Sequence, residues 1–151
     1  MSETPTVHAS AVLAGARALL IRGPAGSGKS RLVLAMLEAA QSRRIPFARL
    51  VGDDRVQLDA QHGRLLVRPH ASLAGLLEVR GLGIRRLAYE PVAVLGMVVD
   101  LADAAAERMP AADAQRTDIS GISLPRLAVA AGFDPLPPVL AFLATGGPAH
   151  Y

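Results

Sequence analysis

Lys29 and Ser30 close the run Gly23-Pro24-Ala25-Gly26-Ser27-Gly28-Lys29-Ser30, and residues of these types at this spacing bind phosphate. Glycine backbone can approach phosphate oxygens closely. Successive N–H groups turned inward form an anion nest, and a following helix N-terminus adds partial positive charge. Lys29 offers the outer phosphates a compact, mobile ammonium, and Ser30 offers Mg²⁺ a hydroxyl. Of 16 Lys and Arg residues only Lys29 is lysine, so a lysine stands where a point charge suits better than a planar fork.

Phosphoryl chemistry also needs acids. Asp53 and Asp54 follow the apolar Leu50-Val51 and are expected at the carboxyl edge of a sheet, beside the phosphate loop. Two adjacent acids can divide the work, one holding metal and one accepting a proton. A solvated Asp-Asp turn is the plainer alternative. Glu78 and Arg80 are two apart in Glu78-Val79-Arg80-Gly81-Leu82-Gly83-Ile84, read here as a glycine-rich loop. In an extended segment they share a face, which suits a metal-binding carboxylate beside a phosphate-binding guanidinium, or a simple surface ion pair. His8 is placed one strand away from the phosphate loop, as a packed polar residue or a catalytic one. His62, His70 and His150 fall in turns or the tail and are read as solvated, and no spacing suggests zinc.

These groups need a scaffold. The chain of 151 residues is 51% hydrophobic and 3% aromatic, so its core must be Ala, Val, Leu and Ile, which suits a parallel or mixed sheet covered by helices. We expect one domain over 1–151, with an ordered core of about 6–144. A hairpin from Thr6 to Ile21 feeds the phosphate loop. A helix from Lys29 to about Ser42 is apolar nearly all round and therefore buried, with Arg43-Arg44 near its C-terminus. Strands are expected at Phe47–Val51, Arg55–Leu58, Arg64–Val67 and Val92–Leu101, and a strand pair within Ile119–Ala130. Ala102–Arg116 reads as an excursion, Pro138–Ala144 as a last helix, and the tail from Thr145 as frayed.

Net charge is +3, arginines are scattered and aromatics few, which argues against nucleic acid as a partner. Cysteine is absent, excluding disulfides and thiolate chemistry. The polar start Met1-Ser2-Glu3-Thr4-Pro5 is unlike a signal peptide, and no apolar run is long enough for a bilayer, so a soluble cytoplasmic protein without membrane contact is expected.

His8, the loop Gly23–Ser30, Val51-Gly52-Asp53-Asp54 and Glu78–Ile84, in this order, resemble the catalytic domain of HPr kinase/phosphorylase. Glu-Val-Arg-Gly-Leu-Gly-Ile looks like that family's signature. The likeness runs from about His8 into the 120s, in the short form without an N-terminal domain. It implies an α/β fold, a mixed sheet carrying the phosphate loop and a buried helix, similar to phosphoenolpyruvate carboxykinase. It implies a kinase using ATP and Mg²⁺ to phosphorylate a serine of HPr, the carrier of the phosphotransferase system. Many members also run the phosphate-dependent reverse reaction. The loop from Gly23 to Lys29 would hold phosphate, Ser30 and Glu78 would bind Mg²⁺, and Asp53 would be the base with Asp54 in support. His8 would lie near the reacting phosphate, and Arg80 would steady loop or phosphate. Longer members are hexamers, so a homo-oligomer is implied. Longer members carry an acid after the loop serine, where Arg31 stands here, and Arg126 is the nearest candidate for their downstream arginine. The residues themselves leave two other readings: a kinase for a small metabolite, or a non-catalytic, nucleotide-gated regulatory protein.

Overall fold

The computed structural model describes residues 5–146. His150 and the tail beyond Gly146 lie outside the described residues, as do residues 1–4. The sheet is built around β9 (Ala93–Leu101) and β3 (Arg17–Arg22), which run parallel with Ile21 opposite Val99 and Arg22 opposite Asp100. β2 (Ala9–Ala14) forms the expected hairpin with β3 and pairs on its other side with β4 (Ala48–Gly52). A short β1 (Thr6–Val7) pairs instead with β5 (Val56–Gln61), which forms a hairpin with β6 (Arg64–Pro69) through a turn at His62-Gly63. The order is β1-β5-β6-β9-β3-β2-β4. β9 divides its far edge: its first residues pair antiparallel with β6, and Val98–Leu101 pair parallel with β11 (Ile122–Val129). β10 (Arg116–Ile119) forms a hairpin with β11, so the expected strand pair begins earlier than Ile119.

Alternation of apolar side chains gives the sheet two buried faces. Leu19, Ile21, Met97 and Val99 pack into one core with α1 (Lys29–Gln41), while Ala18, Leu20 and Val98 pack into a second under β5 and β6. Strands buried on both faces read as continuous apolar runs, as Ala18–Ile21 does. α1 is less enclosed than its composition implies. Leu32, Val33, Met36 and Ala39 are buried, and the turns between are half-buried. Arg43-Arg44 lie past the helix and do not complement its last turn. Arg43 adopts a left-handed φ of 61°, and the Arg43 and Arg44 amides donate to the Ala40 and Ala39 carbonyls, closing the end through backbone.

Two further expectations shift. α2 is Leu136–Thr145, two residues earlier than the first helical residue expected, because proline in a first turn removes only an N–H that has no helical partner. Glu78–Ile84 is a hairpin and not a loop: β7 (Leu76–Val79) and β8 (Gly83–Arg86) pair Glu78 with Ile84, and the Leu82 amide closes the turn on the Val79 carbonyl. The excursion between β9 and β10 holds only one short 3-10 turn, Ala112–Gln115. Among the described residues no helix is long and apolar enough to cross a membrane.

Candidate active site

The loop from Gly23 to Gly28 joins β3 to α1, so its amides lie at the carboxyl edge of the parallel strands and at the helix start. Gly28, the residue before the helix, has a φ of 102°, a conformation that L side chains rarely adopt. At Gly23 a side chain is sterically excluded: an added Cβ would lie 2.5 Å from Ser27 Oγ and 3.1 Å from the Leu101 carbonyl oxygen. Lys29 folds back over the loop, donating to the Gly23 carbonyl at 2.7 Å and the Pro24 carbonyl at 3.2 Å.

Asp53 emerges from the end of β4 directly against this loop. It is 5% exposed, and every hydrogen-bond donor around it is neutral. Ser30 Oγ lies 2.8 Å from both carboxylate oxygens, Ser10 Oγ donates at 2.6 Å, and the Glu78 amide donates at 3.3 Å. Ser10 is fully buried in β2 and had no part in the sequence reading. Its signal was available: a lone hydroxyl inside Ala9-Ser10-Ala11-Val12 needs a buried partner.

Asp54 diverges from its neighbour. It has a φ of 69°, which Asp tolerates better than most residues, and its side chain is exposed on a cleft of about 640 Å³. The same cleft is lined by Gly26, Gly28, Lys29, Ser30, Glu78 and Arg80. Loop, second acid and hairpin, far apart in the chain, thus meet at one opening. Arg31, on the first turn of α1, also lines the cleft and adds a cation at its rim.

Four residues sit elsewhere. His8 is exposed at the break between β1 and β2, next to Ala9, whose partner across the hairpin is Arg22; it does not line the cleft. His70 is half-buried, its Nδ1 accepting from the Ser72 amide, and caps the short 3-10 turn Ala71–Leu73, whereas His62 is exposed. Arg126 is likewise away from the cleft. Its Nε donates at 2.5 Å to Asp100, which also receives both arms of Arg22 at 2.7 and 2.8 Å. Burial opposes the charge on Asp100, but the hydrogen bonds from Arg22 and then Arg126 outweigh it and hold the carboxyl below its ordinary range. The bond to Asp100 correspondingly raises Arg22.

Among the described residues no three His, Cys, Asp or Glu side chains are grouped to hold a metal. Mg²⁺ needs no such cage, because it is usually bound through one or two carboxylates together with phosphate and water. The oxygen donors of Ser30 and Glu78 at the cleft, with Asp53 directly behind Ser30, fit that requirement.

Comparison with known proteins agrees with the resemblance read from the motifs. Over 83 residues the chain is 32% identical to the HPr kinase/phosphorylase of Mycoplasma mycoides, a match covering 55% of this chain and 24% of that protein. The fold is that of the Hpr(Ser) kinase/phosphatase of Coxiella burnetii, with a TM-score of 0.72 at 23% identity over 94% of this chain and 95% of that one. No protein-family model matches the chain. The resemblance to the HPr kinase catalytic domain therefore holds in sequence and in fold, while the matched stretch spans about a quarter of the curated relative.

Proposed function

We propose that this chain is a cytoplasmic phosphotransferase that uses ATP and Mg²⁺ to phosphorylate a serine on an HPr-like carrier protein. The observation that carries the proposal is the contact of Ser30 with Asp53 at 2.8 Å, beside a cleft that Lys29, Asp54, Glu78 and Arg80 also line. The likeness to proteins named for HPr supports an HPr-like protein as the acceptor in this reading.

Bound ATP and Mg²⁺ supply the γ-phosphoryl group and a charge that neutralises the phosphates. The loop amides and Lys29 hold the β- and γ-phosphates in place, and Ser30, Asp53 and Glu78 provide oxygen ligands on the metal side. The sequence reading gave the proton to Asp53. The geometry favours Asp54, since Asp53 is enclosed by Ser10, Ser30 and the Glu78 amide, and Asp54 faces the cleft. In the transfer, the serine oxygen bonds to the γ-phosphorus, the bond from that phosphorus to the β–γ bridging oxygen breaks, and the hydroxyl proton passes to the Asp54 carboxylate. Arg80 steadies the transferred group. Little covalent work falls to the protein, so positioning and charge dominate. His8 takes no direct part, and a homo-oligomer, hexameric by resemblance, belongs to the same proposal.

Arg31 favours a second reading. Two arginines at the rim, Arg31 and Arg80, would also suit a small anionic metabolite as acceptor. The two readings separate on incubation with ATP and Mg²⁺ plus HPr: labelled phosphoserine on HPr supports the first, whereas nucleotide turnover only with small anionic acceptors supports the second.

A further inference from the structure

Behind the phosphate loop, away from the cleft, lies a chain of charges. Arg126 on β11 spends all three guanidinium nitrogens: Nε on Asp100, Nη2 on Asp103, and Nη1 on the Ala114 carbonyl at 3.0 Å. Asp103 and Ala114 lie near the two ends of the excursion between β9 and β10. Asp103 is fixed further by its amide on the Val129 carbonyl and by the Ala105 amide on its side chain. On the other side Asp100 holds Arg22 through both oxygens. Arg22 is the last residue of β3, and Gly23 follows it, close against the Leu101 carbonyl and bonded to Lys29. A continuous path runs from the excursion through Arg126, Asp100, Arg22 and Gly23 to the lysine of the phosphate loop.

We infer that Arg126 is a positioning residue for the phosphate loop, clamping the excursion 102–115 and the loop 23–29 to one carboxylate so that order in one supports order in the other. The inference rests on the reading of Gly23–Ser30 as a nucleotide-phosphate site. The physical basis is the sharing of Asp100. Its two oxygens accept three charge-assisted hydrogen bonds within a mostly enclosed site, where side-chain exposures are 15% for Asp100, 19% for Arg126 and 34% for Arg22. Such bonds are strong, and removing one partner leaves charge poorly compensated. Without Arg126, Arg22 alone must balance Asp100, and the outer ties to Asp103 and Ala114 are lost together. Lysine could restore a charge but not the three-way fork.

The test is amide hydrogen exchange on the full chain, well below its melting temperature, for wild type, Arg126→Met, Arg126→Lys and Asp103→Asn. In Arg126→Met, which loses all three ties, exchange is expected to quicken at least about tenfold both at 103–114 and at 23–29. Arg126→Lys should recover part of the protection. Asp103→Asn, which breaks only the outer link, should quicken both segments less, and it serves if Arg126→Met does not fold. Faster exchange confined to 103–114, with 23–29 unchanged in either variant, overturns the inference. The exchange readout needs no nucleotide, so a wild type that transfers no phosphate would defeat the functional proposal without deciding this one. With MgATP, the Kd should rise about tenfold in Arg126→Met while the KM for the acceptor protein stays put. A change in melting temperature alone, with Kd and loop exchange unaltered, marks Arg126 as merely structural.

Discussion

Asp53 and Asp100 are the same residue type at the same edge of one sheet, each at or just past the end of an apolar strand, yet their surroundings are opposite. Asp100 is met by two arginines, which balance its charge and occupy its oxygens. Asp53 is met by two hydroxyls and an amide, which orient it without balancing its charge. A carboxylate closed by guanidiniums is a structural fastening. A carboxylate held by neutral donors beside a phosphate loop is left able to attract a cation. Under the proposed function the metal side falls to β4, while the arginine-closed Asp100 gives β9 the mechanical side.

Breaking the Asp53 side should affect chemistry far more than stability. Lys29→Ala has the largest expected effect: phosphoserine formation should fall about 10³-fold or more, since a charge aimed at the transferring phosphate is lost. Asp54→Asn should lower kcat by about 10²–10⁴-fold with little change in MgATP affinity, as expected for a lost general base. If Asp53→Asn shows that pattern and Asp54→Asn does not, the roles revert to those read from the sequence. In the proposed arrangement Asp53→Asn should raise the Mg²⁺ concentration needed for half-maximal rate and weaken MgATP binding together, which Mg²⁺ titration of the rate will show.

Breaking the Asp100 side should do the reverse. Asp100→Asn leaves Arg22 and Arg126 without their shared anion, and a loss of about 1.5–3 kcal/mol is the usual size for hydrogen bonds to charged groups. The melting temperature should drop by several degrees while transfer, assayed in the cold, persists to within about tenfold. The pH dependence follows from the depressed Asp100 carboxyl. Its folded value lies below its unfolded value, so its contribution is present above the unfolded range near 3.9 and is lost as pH falls through the lower folded value. Wild type should lose stability in that acid window more steeply than Asp100→Asn, which has no such group to titrate. The smallest effect is expected for His8→Ala, under about threefold on transfer, because the side chain lies outside the cleft.

Much of this was legible in residue order. Gly23–Ser30 and Asp53-Asp54 stand out by residue type and spacing and Glu78–Arg80 by family resemblance, and the hairpin leading into the phosphate loop follows from alternation and a Gly15 turn. What escaped depends on partners distant in the chain. That Asp53 turns inward and Asp54 outward is decided by Ser10, 43 residues away, and by a left-handed backbone at Asp54. The Glu78 hairpin reads as a loop because its glycines break the alternation; β8 is exposed throughout and has no apolar face to announce it. Arg126 looks unremarkable in Leu124-Pro125-Arg126-Leu127, since only the parallel register of β9 and β11 brings it to Asp100. His8 falls one residue before a pairing strand, at the point where the chain changes partners, and spacing cannot show which way such a break faces.

The most direct measurement of the central proposal is mass spectrometry of HPr after incubation with the purified chain, ATP and Mg²⁺. A single phosphoserine on HPr, absent with Lys29→Ala and strongly reduced with Asp54→Asn, is the expected result. Unmodified HPr from the same organism, under conditions where MgATP binding is demonstrated, would contradict it.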